Sequence, residues 1–277
     1  MELCFGEHSE FSRLENQFSN TNNLGLVWGE ERMPTIIQFI DMLASCPYLE
    51  TLALDSAPIQ EEDLWANGTE VLPRMVVTLP SLNSLTLNWF NNLQTFCCML
   101  LLLHAPNLEE FALTRMDESM DGSQAIDMSD AIALLGRGEG LGACLAGVKR
   151  LRVARVRCSS LQSWEGLYGR LCNLQSLRIV HRPWEDDPSQ GEAHYFHALQ
   201  QTATQGKSTS TQFLCPHLEE LWVSGLDEAM VERLLLERQR QGYPLQRIFV
   251  DQGKDLWLGD LGVVVEEYLE EYYEHPA

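Results

Sequence analysis

Several short stretches of this chain carry side chains that could serve a reactive or ligating site, and their spacing tests each one. His194 and His197 stand three apart. A zinc protease helix needs two histidines four apart with a glutamate general base after the first, so this pair does not fit. Gly206-Lys207-Ser208 matches the end of a phosphate-cradling loop, but Gln201 occupies the position of its first glycine. Gly136, Gly138, Gly140 and Gly142 follow a predicted helix, whereas a dinucleotide fingerprint follows a strand. Asp117, Glu118, Asp121, Asp127 and Asp130 lack the calcium-loop register of glycine at position six and glutamate at position twelve. No Gly-x-Ser-x-Gly nucleophile elbow occurs. The eight cysteines, at 4, 46, 97, 98, 144, 158, 172 and 215, have no paired metal-ligand spacing. They read as reduced, apolar-packed thiols. The expectation is a non-enzymatic protein with no catalytic residues, no metal and no cofactor.

Charge narrows the partners. The formal net charge of -21 excludes nonspecific binding to nucleic acid or an anionic membrane, which needs clustered Lys and Arg. Lysine occurs only at 149, 207 and 254. With 45% hydrophobic and 21% charged residues among 277, the composition is that of a folded globular chain. The longest apolar run, Phe96 to Leu103, spans eight residues against the roughly 20 of a membrane helix. Met1 to Asn23 carries Glu2, Glu7, Glu10 and Glu15 without a basic start or apolar core, unlike a secretory signal. An intracellular location, cytoplasm or nucleus, is the expectation.

The elements that must position any site follow from a repeat. Ala105-Pro106-Asn107-Leu108-Glu109-Glu110-Phe111-Ala112-Leu113 states it: an apolar anchor, two polar residues, an apolar anchor, a spacer and a third anchor. The triplets are Leu49/Leu52/Leu54, Leu82/Leu85/Leu87, Leu108/Phe111/Leu113, Val148/Leu151/Val153, Leu174/Leu177/Ile179, Leu218/Leu221/Val223 and Leu245/Ile248/Val250. Their first anchors lie 33, 26, 40, 26, 44 and 27 residues apart. A partial earlier copy sits at Leu24 to Trp28. Between copies the apolar period becomes helical, as at Ile36/Phe39/Ile40/Leu43, Leu161/Trp164/Tyr168/Leu171 and Met230/Val231/Leu234/Leu235.

A strand plus a helix that cannot bury its own faces must stack on its neighbours. The expected fold is therefore an α/β leucine-rich-repeat solenoid of the ribonuclease-inhibitor type, with a parallel concave sheet and helices on the convex side. Residues 1–23 read as an N-terminal extension or partial cap, 24–251 as the solenoid of seven to eight rungs, and 252–277 as an acidic capping helix. That helix would place Leu261, Val265, Tyr268, Leu269 and Tyr272 on one side. The long segment 181–213 is a candidate lid over the concave face or a solvated linker.

The stretches Ser45 to Leu54, His104 to Phe111 and Leu214 to Leu221 resemble the leucine-rich region of fungal, especially mushroom-type, F-box proteins. The resemblance covers roughly Leu24 to Asp251. It implies kinship with substrate receptors of cullin-type ubiquitin ligases, in which an F-box docks a Skp-type adaptor and the repeats hold the protein to be ubiquitinated. Met1 to Asn23 has no Leu-Pro-x-Glu start, so binding of that adaptor is not expected.

Within each strand the second and third anchors point inward and the residues around them face the concave surface. The middle column becomes Ala53, Thr86, Ala112, Arg152, Arg178, Trp222 and Phe249. The preceding column becomes Thr51, Ser84, Glu110, Arg150, Ser176, Glu220 and Arg247. Arg150, Arg152, Arg178, Trp222, Arg247 and Phe249 are thus the candidate partner-binding residues, suited to an acidic peptide or protein surface. Two competing readings are a small anionic ligand held by the same arginines, and a structural ladder in which Glu110 and Glu220 satisfy the arginines and Arg178 stacks on Trp222.

Overall fold

The computed structural model describes residues 2–5, 20–28, 34–55, 76–88, 93–114, 126–180, 194–200, 202–204, 211–223, 228–251 and 262–268. In chain order the elements are β1 (Glu2–Phe5), β2 (Asn23–Trp28), α1 (Ile36–Ala44), β3 (Thr51–Asp55), β4 (Val77–Thr78), β5 (Ser84–Asn88), α2 (Leu93–Leu102), β6 (Leu103–His104), β7 (Glu110–Thr114) and α3 (Ser129–Arg137). A 3-10 helix (Gly140–Gly147) precedes β8 (Arg150–Ala154), α4 (Leu161–Arg170), β9 (Ser176–Val180), α5 (His194–Leu199), β10 (Thr202–Thr204) and β11 (Thr211–Phe213). The chain continues through β12 (Glu220–Val223), α6 (Glu228–Arg240), β13 (Arg247–Asp251) and β14 (Val264–Tyr268).

Ten strands form one sheet in the order β1-β2-β3-β5-β7-β8-β9-β12-β13-β14, and every neighbouring pair is parallel. Register follows the repeat rung by rung: Leu52, Leu85, Phe111, Leu151, Leu177, Leu221 and Ile248 are successive Cα partners. All seven are buried, as are the first anchors such as Leu49, Leu108 and Leu245. The chain is a leucine-rich-repeat solenoid.

The turns before the strands repeat as well. One carbonyl of each rung accepts two successive amides of the next: Glu50 from Asn83 and Ser84, Asn83 from Glu109 and Glu110, Glu109 from Lys149 and Arg150. Lys149, Gln175 and Glu219 continue the series. Polar side chains lace the same turns, with Asn107 Nδ2 donating to the Pro80 carbonyl at 2.7 Å and Asn173 Nδ2 to the Ala146 carbonyl at 2.8 Å. Backbone groups left over where each rung enters its strand are satisfied by the adjacent rung, which is why copies must stack in order.

The helices begin at sequence-encoded caps. Thr35 and Gln38 form a reciprocal capping box on α1, and Ser160 Oγ accepts from the Ser163 amide at the start of α4. Between α3 and α4 the backbones touch at Gly136 and Gly166, where a Cβ on Gly136 would lie 2.8 Å from the Gly166 carbonyl carbon. Arg170 then closes the end of α3, donating from Nε to the Gly136 carbonyl and from a terminal guanidinium nitrogen to that of Arg137.

Asp127 ties the entry of α3 to the loop after β8. Its carboxylate accepts from the Ser129 amide and hydroxyl and from the Ser159 amide and hydroxyl. Partial burial works against its charge, and these bonds outweigh that, holding its pKa below the ordinary 3.8. A depressed folded-state pKa contributes stability above the unfolded pKa, and that contribution disappears as pH falls through the folded value. Asp127→Ala is expected to lose about 0.5–1 kcal/mol at neutral pH, small because the group is solvent-screened. In urea titrations the gap between variant and wild type should close below pH 3.8.

Two expectations change at the ends and in the long insertion. The capping helix expected around 261–273 is not formed over 264–268, where β14 pairs with β13 from Val264↔Arg247 to Tyr268↔Asp251. The edge of β13 takes up a segment of matching period: Val263 and Val265 pack on the core while Val264 and Glu266 face solvent, a period of two that a helix cannot satisfy. The N-terminal cap contains β1, which adds a strand beside β2. In the 181–213 segment, α5 packs against α4, with Tyr195 edge-on to Trp164 at 6.0 Å and Tyr195, Phe196, Ala198 and Leu199 buried. This helix is the convex helix of its rung rather than a lid, and β10 and β11 form an antiparallel pair; the rest of the lid expectation, at 181–193, 201 and 205–210, lies outside the described residues. Among the described residues no helix is long and apolar enough to cross a membrane.

Candidate partner-binding face

The open face of the sheet carries the side chains between the buried anchors. Its middle column is Ala53, Thr86, Ala112, Arg152, Arg178, Trp222 and Phe249, successive Cα partners from β3 to β13. The preceding column runs Thr51, Ser84, Glu110, Arg150, Ser176, Glu220 and Arg247 in the same way. All six sequence-predicted site residues therefore stand on β8, β9, β12 and β13, in one contiguous half of the face.

Their states differ. Arg150 pairs with Glu110 one strand away, and Arg247 pairs with Glu220 in the same geometry. These two cations are engaged along the ladder and remain substantially exposed, with side-chain exposures of 62% and 49%. Arg152 and Arg178 are half-buried and lie side by side on adjacent strands. The Arg178 guanidinium carbon sits 5.4 Å from the centre of the Trp222 ring. Trp222 in turn stacks on Phe249 at 3.6 Å and 9° between planes. Arg178 and Phe249 reach Trp222 from opposite neighbouring strands, so cation, indole and phenyl form three layers.

That stack corrects the expected role of Phe249. It is only 6% exposed, covered by Trp222, and supports the tryptophan instead of presenting a contact surface. Trp222 is half-buried, its ring taken up by the residues on either side.

Next to the arginines the side chains shrink abruptly. Ser84, Thr86 and Ala112 leave a groove of about 340 Å³ bounded by Arg150, Arg152, Arg178 and Trp222. The small residues are legible in the sequence as members of the same columns, but their part in the site comes from the step in size at the β7–β8 boundary. A second hollow of about 250 Å³ lies over Gly25 and Ala53 and carries no cationic side chain.

The other chemistry-bearing residues stay apart from this face. His194 and His197 belong to α5 on the helical side. Cysteines 46, 97, 98, 144, 158, 172 and 215 form no disulfide with one another; Cys46 and Cys215 are buried and Cys172 is half-buried. Burial pushes the Cys46 thiol up to about 11 and Cys215 to about 12. Cys144 lies 3.3 Å from Nδ1 of His104, but burial raises its pKa over the opposing effect of the Ala105 amide, so it remains a thiol and a poor nucleophile. Among the described residues no cluster of His, Cys, Asp and Glu is placed to hold a metal ion.

No protein-family model and no curated protein matches the sequence. Among solved structures, an internalin (inlF) from Listeria monocytogenes str. 4b F2365 aligns with a TM-score of 0.38 and 13% identity. The alignment covers 95% of this chain and 65% of the internalin chain. The assignment of the fold rests on the repeat and its register.

Proposed function

We propose that the chain is a non-catalytic binding scaffold that holds a segment of another protein on its open face, across β7 to β13. The observation that carries this reading is the groove where Ser84, Thr86 and Ala112 give way to Arg150, Arg152 and Arg178 in one aligned register. Like charges on adjacent strands of a sheet oppose folding, and an anionic group of a partner set against Arg152 and Arg178 would offset that cost. Arginine and tryptophan are also the side chains most often found as interface anchors. The resemblance of the repeats to fungal F-box proteins supports kinship with substrate receptors of cullin-type ubiquitin ligases, and hence a partner that is itself a protein.

The test is affinity capture from a fungal lysate with wild type beside Arg152→Glu/Arg178→Glu, the variant first shown by circular dichroism to keep its fold. Both positions lie on the open side of the sheet, so the fold is expected to survive. A partner retained by wild type and lost by the variant is the expected result. Equal retention by both would move the binding site off this face.

A further inference from the structure

The open face changes bulk in one step. Along its middle column Phe249, Trp222 and Arg178 stand plate on plate, with 3.6 Å between the two rings and 5.4 Å from the Trp222 centre to the Arg178 guanidinium carbon. Arg152 is next in register and is the last bulky member. The two places after it belong to Ala112 and Thr86, which with Ser84 line the groove of about 340 Å³. Ligand pockets run from about 300 to 1,000 Å³, so this one suits a single side chain.

What can occupy it follows from what its walls have left to give. Arg152 and Arg178 are already engaged within the chain, and the Nε of each is buried. Glu110, at the border of the groove, is paired with Arg150. A partner's anion would offset the like charges of the arginine pair, but its hydrogen bonds must be drawn from contacts the arginines already make. A cationic side chain is opposed by three lining arginines, and an aliphatic one leaves their charge unanswered. The electron-rich face of an aromatic ring offsets that charge and requires no donor. Adjacent strands lie about 4.8 Å apart, so a ring standing over Ala112 falls within the ~6 Å reach of a cation–π contact with Arg152.

We infer that the groove takes one aromatic side chain of the partner, seated over Ala112 and Thr86 against Arg152, which extends the column of Phe249, Trp222, Arg178 and Arg152 by one place. This rests on the partner-binding reading above and names the side chain by which the partner is held.

The test is selection of a random-peptide phage library on the full-length protein. Peptides enriched on wild type are expected to share an aromatic residue at one position. One such peptide is then made with phenylalanine, cyclohexylalanine or alanine there, and its binding is followed by fluorescence anisotropy. Cyclohexylalanine keeps the size and apolar character of phenylalanine but lacks the π face, so it should bind about three- to tenfold more weakly. In Arg152→Met that gap should close, while phenylalanine still outbinds alanine. Thr86→Leu narrows the floor from the neighbouring strand; it should weaken the phenylalanine peptide several-fold and leave the alanine peptide unchanged. Circular dichroism checks the fold of both variants.

Equal binding of the phenylalanine and cyclohexylalanine peptides to wild type would overturn the inference, and that comparison needs no variant. So would a gap that persists in Arg152→Met, enriched peptides without a shared aromatic residue, or no enrichment at all. If enriched peptides lack the aromatic residue yet are lost on Arg152→Glu/Arg178→Glu, the partner-binding reading stands while the aromatic pocket falls. Enriched peptides that bind Arg152→Glu/Arg178→Glu as tightly as wild type would overturn both.

Discussion

Arg238→Met is expected to lower the free energy of unfolding by about 3–5 kcal/mol, because one buried guanidinium donates to several carbonyl groups at once. Arg238 lies in the last turn of α6 and is fully buried. It donates to the carbonyl oxygens of Cys215 at 2.9 Å, Tyr243 at 3.1 Å, Leu214 at 3.4 Å and Leu218 at 3.5 Å. Its guanidinium carbon also lies 5.0 Å from the centre of the Phe213 ring. One side chain thus joins the turn entering β12 to the turn leaving α6, and Cys215 between them holds a left-handed φ of 49°. Burial lowers the Arg238 pKa to about 10, with Cys215 acting in the opposite direction. The group therefore stays charged and keeps all its donors at neutral pH. Methionine fills much of the volume but donates nothing to the Leu214, Leu218 and Tyr243 carbonyls, while Cys215 keeps the Leu218 amide. Urea unfolding followed by far-ultraviolet circular dichroism measures the loss, and a change below about 1 kcal/mol would show that the carbonyls find other partners.

The second large effect is expected at Gly140. A Cβ there would lie 2.3 Å from the Leu100 carbonyl oxygen and 2.6 Å from the Leu101 Cα, in a backbone with φ of 52°. Both obstacles are main chain, so no rotamer change relieves them. Gly140→Ala is expected to cost about 3 kcal/mol or more, from strain and from the displacement of α2 relative to the 3-10 helix. Gly242 supplies the control. Its φ is 81°, yet a methyl group added there would meet nothing within 4 Å, so Gly242→Ala should cost only about 1 kcal/mol. Thermal unfolding of the two variants separates the clash from the strain, and equal losses would contradict the close approach at Gly140.

Whatever depends on local period is legible in the sequence. The triplets such as Leu82/Leu85/Leu87 and Leu174/Leu177/Ile179 specify which residues point inward, and stacking then brings equivalent positions into one column. That is why the row from Ala53 to Phe249 follows from the repeat alone. Features that depend on two rungs at once are less legible. Phe249 reads as an exposed anchor because its column faces solvent, and the neighbouring Trp222 stacks over it. Arg238 sits among Glu237, Gln239 and Arg240, which makes it read as part of a solvated helix face. Residues 264–268 satisfy a helical period loosely and a strand period better, and the open edge of β13 decides between them. Of the four face arginines, the pairing of Arg150 and Arg247 with Glu110 and Glu220 and the stacking of Arg178 on Trp222 are foreseeable from their columns.

The most direct test of a binding site on the open face is site-specific photo-crosslinking from the groove itself. A photoreactive phenylalanine analogue placed at Ala112 sits beside Arg152, whereas the same group at Gln162 projects from α4 on the helical side. A discrete protein adduct is expected from position 112, abolished by Arg152→Glu/Arg178→Glu, and none from position 162. An adduct from 162 alone, or one from 112 that survives the charge reversal, would contradict it.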